Sequence, residues 1–375
     1  MLLAVLSLSL FVVVYTYAGY PALILTLSRL FPAKSDGDPA FTPRVSVLIP
    51  AYNAAAFVEP KLESLRAQAY PRDRFEVIVY ADGATDDTAA IVAAYAEKNP
   101  GFVRLIQSPE RSGKPTAVNR MRAEATGEVL VLTDIRQPLR ENVLRVLVSQ
   151  LADPRIGCAS GSLLLVGDTG PGLYWRYEEA IRRAESRFRS MVGVLGALYA
   201  IRRADLAELP RDTILDDMWI PMQLALRKKR LVFCSDANGF DRAGEDDREF
   251  DRKVRTLAGN YQLFARLPRL LFPFLNPIWF ETVSHKIMRL VCPWALAALG
   301  AATLGAVLMP EPGAPFVVWL GLRLLLAGEV AFAGLALVGR AGGRIAATAR
   351  TFIVLNWAAV VGLYRFVRGG QRITW

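Results

Sequence analysis

The sequence predicts an α/β domain with a largely parallel sheet, joined to α-helical segments that cross a membrane or lie on its surface. Two observations support this prediction. Short apolar runs alternate with segments of helical periodicity from Arg44 to about Ala243, and this alternation is typical of a parallel sheet with helices on both faces. Apolar residues also collect at 1–31 and from about 286 to 367, in runs long enough to span a bilayer.

Residues 1–31 are predicted to be a transmembrane anchor. The apolar run at 2–31 exceeds the roughly 20 residues that cross the hydrocarbon core. It lacks a basic n-region and a small-residue cleavage site, which favours an uncleaved anchor over a signal peptide. Lys34 and Arg44 follow the run and no charged side chain precedes it, so we expect the next segment to be cytoplasmic. Residues 32–43, with Pro, Gly and Asp, are predicted to be a linker.

The segment 44–250 is predicted to be a cytoplasmic catalytic domain. Its strands come from five apolar runs, at 45–49, 75–80, 103–106, 129–132 and 158–165. Three intervening segments have apolar residues at helical spacing, which puts each set on one helix face: Val58, Leu62 and Leu65; Ile91, Ala94 and Tyr95; and Val118, Met121 and Ala125. No G-x-G-x-x-G or G-x-x-x-x-G-K-S/T follows a strand, which argues against dinucleotide and P-loop binding.

The rest of the chain is predicted to be associated with the membrane. Residues 251–285 are basic, aromatic and interrupted by proline, which predicts amphipathic segments on the bilayer surface. The C-terminal membrane region, 286–375, begins with two spans at about 286–308 and 315–338. A third apolar segment, 345–367, would leave the C-terminal arginines outside if it crossed, against the positive-inside tendency. Crossing, re-entry and an interfacial position all stay open for this segment.

Composition limits the chemistry that the protein can perform. The formal net charge is +10, which suits nucleic acid, an anionic membrane face or phosphorylated substrates. No nucleic-acid-binding motif is present, so a cytoplasmic positive-inside excess accounts for the charge and no nucleic-acid partner is expected. The three cysteines form no C-x-x-C, and the single histidine, His285, adjoins a predicted span. Zinc clusters and Ser-His-Asp triads are therefore excluded, and the chemistry must rely on carboxylates, alone or with a bound cation.

Three predicted strands end in polar residues. The first, second and fourth strands are followed by Asn53, Asp82 and Asp134, respectively. In open α/β sheets, ligands bind at the carboxyl ends of the strands. We therefore expect these three side chains to converge on one pocket.

Seven motifs follow one another along the chain. They are Val45-Ser-Val-Leu-Ile-Pro-Ala-Tyr-Asn53, Glu76-Val-Ile-Val-Tyr-Ala-Asp-Gly-Ala-Thr-Asp-Asp-Thr88, Ser112-Gly-Lys114 with Asn119, Gly127-Glu-Val-Leu-Val-Leu-Thr-Asp134, Gly196-Ala-Leu-Tyr-Ala-Ile-Arg-Arg203, Leu215-Asp-Asp217 and Gln371-Arg-Ile-Thr-Trp375. In this order they resemble glycosyltransferase family 2, in particular membrane-anchored, polysaccharide-synthase-like members of the cellulose, chitin and hyaluronan synthase type. The resemblance covers about 45–240 and the last five residues. It implies a glycosyltransferase A-type nucleotide-diphospho-sugar-binding domain.

The resemblance implies a site for the nucleotide of the donor. Asp82 would contact uracil, and the backbone of Pro50, Ala51, Tyr52 and Asn53 would line the same pocket. The alternative for Asp82 is a turn aspartate in an Asp-Gly pair.

The resemblance also implies a site for the donor diphosphate. Lys114 would reach the phosphates as a point charge, unless it is a surface lysine. Asp134 matches the first aspartate of the D-x-D motif, which helps to hold Mg²⁺ or Mn²⁺ on the diphosphate; a helix cap is its alternative. Arg136 stands at the place of the second aspartate. An arginine cannot ligate a metal but can pair with a phosphate or an acidic sugar, so metal dependence stays open.

The pair Asp216-Asp217 matches the Glu-Asp pair of the family's T-E-D motif, with Asp216 in place of glutamate. Inverting sugar transfer needs a base that takes the proton of the acceptor hydroxyl while the nucleoside diphosphate leaves from the opposite face. A neighbouring carboxylate raises the pKa of such a base. We assign Asp217 as the base and Asp216 as its supporting neighbour; the alternative is an ordinary pair at a helix start.

Five residues are candidates for acceptor binding. Gly196 would allow close approach on the acceptor side, and Trp219 would supply apolar surface there. Gln371, Arg372 and Trp375 match the family's Q-Q/R-x-R-W signature, with donors for sugar oxygens and a flat face for a sugar ring. A juxtamembrane Arg/Trp anchor is the alternative for this signature, because such residues also collect at membrane surfaces.

The sequence thus predicts a membrane-embedded, inverting glycosyltransferase in the inner membrane, multi-pass, with its catalytic domain in the cytoplasm. It would transfer a sugar from a nucleotide-diphosphate sugar, in the first place a UDP-sugar, to a growing polysaccharide or oligosaccharide. The alternatives are a polyprenyl-phosphate monoglycosyltransferase and a catalytically inactive sugar-binding assembly subunit. Besides donor, acceptor and membrane lipid, we expect a channel or secretion partner or a homo-oligomer, because four spans are few for a complete channel.

Overall fold

The computed structural model describes residues 1–33, 37–166, 173–242, 249–310 and 315–371. Contacts within the chain divide it into two compact units. One unit holds the sheet and most of residues 27–245, together with 262–279 and Gln371. The other is helical and holds residues 1–26 and most of 280–370.

In the described part of the chain, the sheet has seven strands in the order β3-β2-β1-β4-β6-β5-β7. They are β1 (Val45–Ala51), β2 (Phe75–Asp82), β3 (Val103–Ser108), β4 (Val129–Thr133), β5 (Ile156–Val166), β6 (Leu198–Arg202) and β7 (Arg230–Arg242). Strand β6 is antiparallel to β4 and to β5, and the other pairings are parallel. The predicted α/β class is confirmed, with a sheet that one strand makes mixed.

The central strands β1, β2 and β4 pair in register, which aligns their carboxyl ends at the edge where the polar residues were predicted. Val45 lies opposite Phe75 on one side and Val129 on the other, and the pairing continues in this register along β1. All residues of β1 and β4 are buried, as expected for parallel strands covered on both faces. Because β1, β2 and β4 run parallel and in register, the residues that follow them meet at one edge of the sheet.

The helices are α1 (Leu2–Leu30), α2 (Ala55–Arg66), α3 (Thr88–Lys98), α4 (Lys114–Glu124), α5 (Val143–Gln150), α6 (Leu173–Phe188), α7 (Asp216–Leu226), α8 (Glu249–Arg266), α9 (Trp279–Leu308), α10 (Phe316–Val338) and α11 (Gly343–Val367). The predicted buried faces of α2 and α4 agree with the structure. The predicted face of α3 is wrong at one of its three positions. Tyr95 is buried and Ile91 packs against the core, as predicted, whereas Ala94 is exposed and Val92 is buried.

Among the described residues, four helices are long and apolar enough to cross a membrane: α1, α9, α10 and α11. Helix α9 begins at Trp279, before the span predicted to start at 286. Helix α11 is continuous over 25 residues, a length that allows crossing. Polar contacts link these helices: the Tyr15 hydroxyl lies 2.8 Å from the Ser284 hydroxyl, and Thr303 contacts Glu329.

Candidate active site

The loop after β1 is tied to the loop after β2 by Asn53. Its side-chain oxygen accepts a hydrogen bond from the Thr85 amide at 2.9 Å, and its amide group donates to the Thr85 hydroxyl at 3.1 Å. The backbone of Asn53 has φ +45°, a conformation that asparagine tolerates better than most residues. Pro50 and Ala51 belong to β1 itself and are buried. Asn53 therefore shapes the edge of the site, and Tyr52 lies between it and the strand.

Asp82 ends β2 and is fully buried. One carboxylate oxygen accepts from the Ser112 amide at 2.6 Å and the Ser112 hydroxyl at 2.7 Å, and the other accepts from the Gly113 amide at 2.9 Å. In this arrangement the carboxylate fastens the backbone that leads into α4. A contact between Asp82 and uracil stays a prediction.

An arginine that the sequence motifs did not indicate lies in the same loop. The guanidinium of Arg111 lies 3.7 Å from the centre of the Tyr52 ring. Arg111 itself is exposed, and a cation held over an aromatic face is a stable arrangement even at such sites. The pair supplies flat surface beside Asp82, of the kind on which a nucleobase can stack.

Lys114, the first residue of α4, lies at the centre of the site. Its ammonium is 3.2 Å from Asp134 Oδ1, 3.4 Å from Asp216 Oδ2 and 3.3 Å from the carbonyl oxygen of Gly196. The contact with Asp216 has ion-pair distance but not the alignment of a hydrogen bond. Only 13% of the Lys114 side chain is exposed, so this residue is not a surface lysine.

The charge of Lys114 is set by three carboxylates. Burial alone would lower the pKa of its ammonium, but Asp134, Asp216 and Asp217 outweigh burial and raise this pKa above its usual value. The lysine is therefore protonated at neutral pH. It links Asp134, on the predicted donor side, to the predicted catalytic pair.

The predicted catalytic pair begins α7. Asp216 is buried, whereas Asp217 is half-buried and lies against Gly196. A Cβ atom added to Gly196 would lie 2.9 Å from Asp217 Oδ2. The small residue predicted at 196 thus makes room for Asp217 itself. Of the two carboxylates, Asp217 is the more accessible to a substrate.

Tyr199, on β6, lies within the motif Gly196–Arg203, but sequence reasoning assigned it no role. It is fully buried, and burial together with Asp216 raises the pKa of its phenol well above the usual value. Its hydroxyl has no hydrogen-bond partner among the described residues. Only strand pairing brings Tyr199 close to the catalytic pair, so the motif by itself could not assign it a role.

The other predicted acceptor residues are less informative. Trp219 is half-buried and packs against the core cluster that contains Tyr199. Gln371 is half-buried and is grouped with the sheet unit. The predicted positions Arg372 and Trp375 lie outside the described residues.

A divalent cation at this site would take its ligands from both the protein and the donor. No group of three or more His, Cys, Asp and Glu side chains that could hold a metal occurs in the described residues. Asp134 offers a carboxylate that is 39% exposed, whereas Arg136 is exposed and turned towards the Phe57 ring, 5.6 Å from its centre. One carboxylate plus phosphate oxygens is a common arrangement for Mg²⁺. The residues present therefore fit a cation that the diphosphate brings with it.

Comparison with known proteins agrees with this geometry. Residues 46–208 match the family model described as glycosyl transferase family 2. The chain is 32% identical over 127 residues to a probable glycosyltransferase of Bacillus subtilis, covering 33% of this chain and 30% of that protein. It is 28% identical over 209 residues to an N-acetylglucosaminyltransferase of Rhizobium meliloti, covering 50% and 49%, respectively. The chain thus spans about a third to a half of these curated relatives.

One solved structure is similar over nearly the whole chain. It is a mannosyltransferase from Pyrobaculum calidifontis in complex with GDP-Man and Mn²⁺. The TM-score is 0.77 at 25% sequence identity, covering 98% of this chain and 99% of that one. The resemblance to the family and the predicted fold are confirmed. A specific relation to the cellulose, chitin and hyaluronan synthases stays a prediction.

Proposed function

Because the chain contains a glycosyl transferase family 2 domain, we propose that it is an inverting glycosyltransferase that uses a nucleotide-diphosphate sugar. The observation that carries the proposal is the position of Lys114. Its ammonium contacts Asp134, the donor-side carboxylate, and Asp216 of the catalytic pair. A diphosphate and an acceptor hydroxyl that meet at this lysine would have a counter-charge and a base within reach.

In the proposed reaction, Asp217 takes the proton from the acceptor hydroxyl. The hydroxyl oxygen forms a bond with the anomeric carbon, and the bond from that carbon to the phosphate oxygen breaks on the opposite face. Lys114 stabilises the negative charge that develops on the leaving nucleoside diphosphate. A divalent cation held by Asp134 and the phosphates would supply further neutralisation of this charge.

Asp216 has a different role because it is buried. Its charge is balanced by Lys114, and it lies next to Asp217 in the chain. We infer that Asp216 supports Asp217 by holding the ammonium of Lys114 at the site. This intact cluster supports an active enzyme over an inactive sugar-binding subunit.

We further propose that the protein acts in the inner membrane, with several spans and with its catalytic domain on the cytoplasmic side. Four helices of suitable length and hydropathy support this proposal. The acceptor would be a growing polysaccharide or oligosaccharide, with membrane lipid around the helices and a channel subunit or a second copy as partner. A lipid-linked monosaccharide as the sole product would instead indicate a polyprenyl-phosphate monoglycosyltransferase.

For the donor we propose a UDP-sugar, with GDP-mannose as the competing candidate because the similar mannosyltransferase was solved with GDP-Man. The full-length protein, purified in nanodiscs, would be tested for nucleotide release from UDP- and GDP-sugars, with Mg²⁺, Mn²⁺ or a chelator. Asp217→Asn should lower kcat by about 10²–10⁴-fold, the usual contribution of a general base. Asp73→Asn, at an exposed aspartate, serves as the matched control. Equal rates for wild type and Asp217→Asn would remove the base assignment.

A further inference from the structure

Lys61 is a charged residue in the interior of the sheet unit. It lies on α2 and is fully buried, which is rare for lysine. Its ammonium donates to the Thr133 hydroxyl at 2.7 Å and to the Gln137 carbonyl at 2.6 Å. Both acceptors are neutral, so the residue is not explained by a direct ion pair.

The two acceptors of Lys61 are the ends of one turn. Thr133 is the last residue of β4, and the chain passes through Asp134 and Arg136 before it reaches Gln137. The ammonium therefore joins the start and the end of the turn that presents the donor-side carboxylate. The opposite side of the turn is held by the Gln137 amide, which donates to Asp241 at 3.0 Å.

Ser64 of α2 and Gln68, two residues after the helix ends at Arg66, bind the chain beyond the turn. Ser64 accepts a hydrogen bond from the Leu139 amide at 3.0 Å, and Gln68 donates to the Arg140 carbonyl at 2.8 Å. Positions 61 and 64 lie on the same face of α2, because residues three apart are neighbours on the surface of a helix. Of these three side chains, Lys61 is the one that binds the turn itself.

A cation at this place is costly for the fold. Burial lowers the pKa of Lys61 to about 7, and Asp134 opposes this shift. Burying a charge costs free energy unless it is paired, and the two neutral acceptors of Lys61 form no ion pair with it. Stability therefore does not explain a lysine at this position. The charged group that acts on its pKa is Asp134.

We propose that Lys61 is a positioning residue for the donor diphosphate. It holds the Thr133–Gln137 turn so that Asp134 faces the phosphates and the cation bound to them. It acts through the turn and does not touch the substrate. This inference rests on the proposed function, since it assumes that a nucleoside diphosphate binds beside Asp134.

The test is Lys61→Met in the full-length protein in nanodiscs. Methionine has similar length and helix propensity but no charge. We measure the melting temperature, the Kd for UDP and for GDP with Mn²⁺, and the kcat and KM of the transfer reaction. The expected result is an unchanged or raised melting temperature, a Kd and donor KM raised at least tenfold, and a kcat lowered less than KM rises.

Two control variants separate positioning from a merely structural role. Ser64→Ala removes the neighbouring contact of α2 with the chain after the turn, and its Kd should stay within twofold of wild type. Leu62→Ala, at a fully buried position on the same helix, lowers stability without removing a hydrogen bond to the turn.

The outcomes distinguish this inference from the proposed function. If Lys61→Met binds nucleotide as wild type does, or loses stability and affinity together as Leu62→Ala does, the positioning role is wrong. Wild-type protein that binds neither UDP nor GDP would overturn the proposed function and this inference with it.

Discussion

Replacing Gly196 by alanine should displace the proposed base, Asp217, without changing its carboxyl group. A Cβ atom at this position would lie 2.9 Å from Asp217 Oδ2 and 3.2 Å from its Cβ and Cγ atoms, whereas ordinary contacts start at about 3.4 Å. Asp217 must therefore retreat by a few tenths of an ångström. Since a misplacement of about 1 Å can cost 10²-fold in rate, we expect about a tenfold loss of kcat.

The same substitution should leave the fold and the donor site almost intact. The contact involves one half-buried side chain, and alanine restricts the unfolded chain more than glycine does, which offsets part of the contact energy. We expect a donor KM within about twofold of wild type, because the substitution removes no interaction that binds the donor equally in the ground state and the transition state. The assay is the initial rate of nucleotide release at saturating donor, together with the melting temperature. Gly300→Ala, at a glycine with open space around it, is the matched control.

A double-mutant cycle tests whether the effect passes through Asp217. In the Asp217→Asn background, Gly196→Ala should cause little further loss, because the group that it displaces no longer acts as a base. A wild-type kcat for Gly196→Ala would contradict the close packing. Fully additive losses would show that Gly196 acts on something other than Asp217.

Three further predictions follow from the charges around the site. Lys114→Met should lower the free energy of unfolding by about 3 kcal/mol, because it leaves the buried Asp216 without its counter-charge. It should also reduce kcat. An unchanged denaturant midpoint would contradict the ion pair. Lys61 has a pKa of about 7 in the folded protein and 10.5 when unfolded, so between these values the unfolded chain binds more protons. Its contribution to stability should therefore rise from about pH 7 to pH 10.5, by up to about 5 kcal/mol, and melting temperatures of Lys61→Met should lack this rise. Arg136→Asp should strengthen Mn²⁺ binding in the presence of UDP or GDP, because it adds a second carboxylate beside Asp134. If titration finds an unchanged Mn²⁺ affinity, position 136 lies away from the cation.

The family and the class of fold could be predicted from the sequence because their signals are local. Strands β1, β2 and β4 are apolar runs buried on both faces, and such runs are recognisable without knowledge of their neighbours. The polar residue after each run follows directly from the strand end. The apolar membrane helices are recognisable for the same reason, since length and hydropathy are properties of one segment.

Strands β6 and β7 were missed because their signals are weak. Strand β6 has five residues inside a motif that was interpreted as acceptor surface, and its burial arises from pairing with β4 and β5. Strand β7 mixes apolar residues with charged and polar ones such as Asp236 and Asn238. Without strand order, neither segment could be separated from a loop.

By itself, the sequence determined which residues stand at the ends of the strands: Asn53, Asp82 and Asp134. Only the tertiary structure decided what those residues contact. Asp82 accepts a hydrogen bond from the backbone before Lys114, and Lys114 contacts both Asp134 and Asp216. Lys61 donates a hydrogen bond to Thr133 at the start of the turn. Local periodicity specifies one face of one element, whereas these contacts join segments 20 to 102 residues apart. They exist because sheet order and register bring those segments to the same edge.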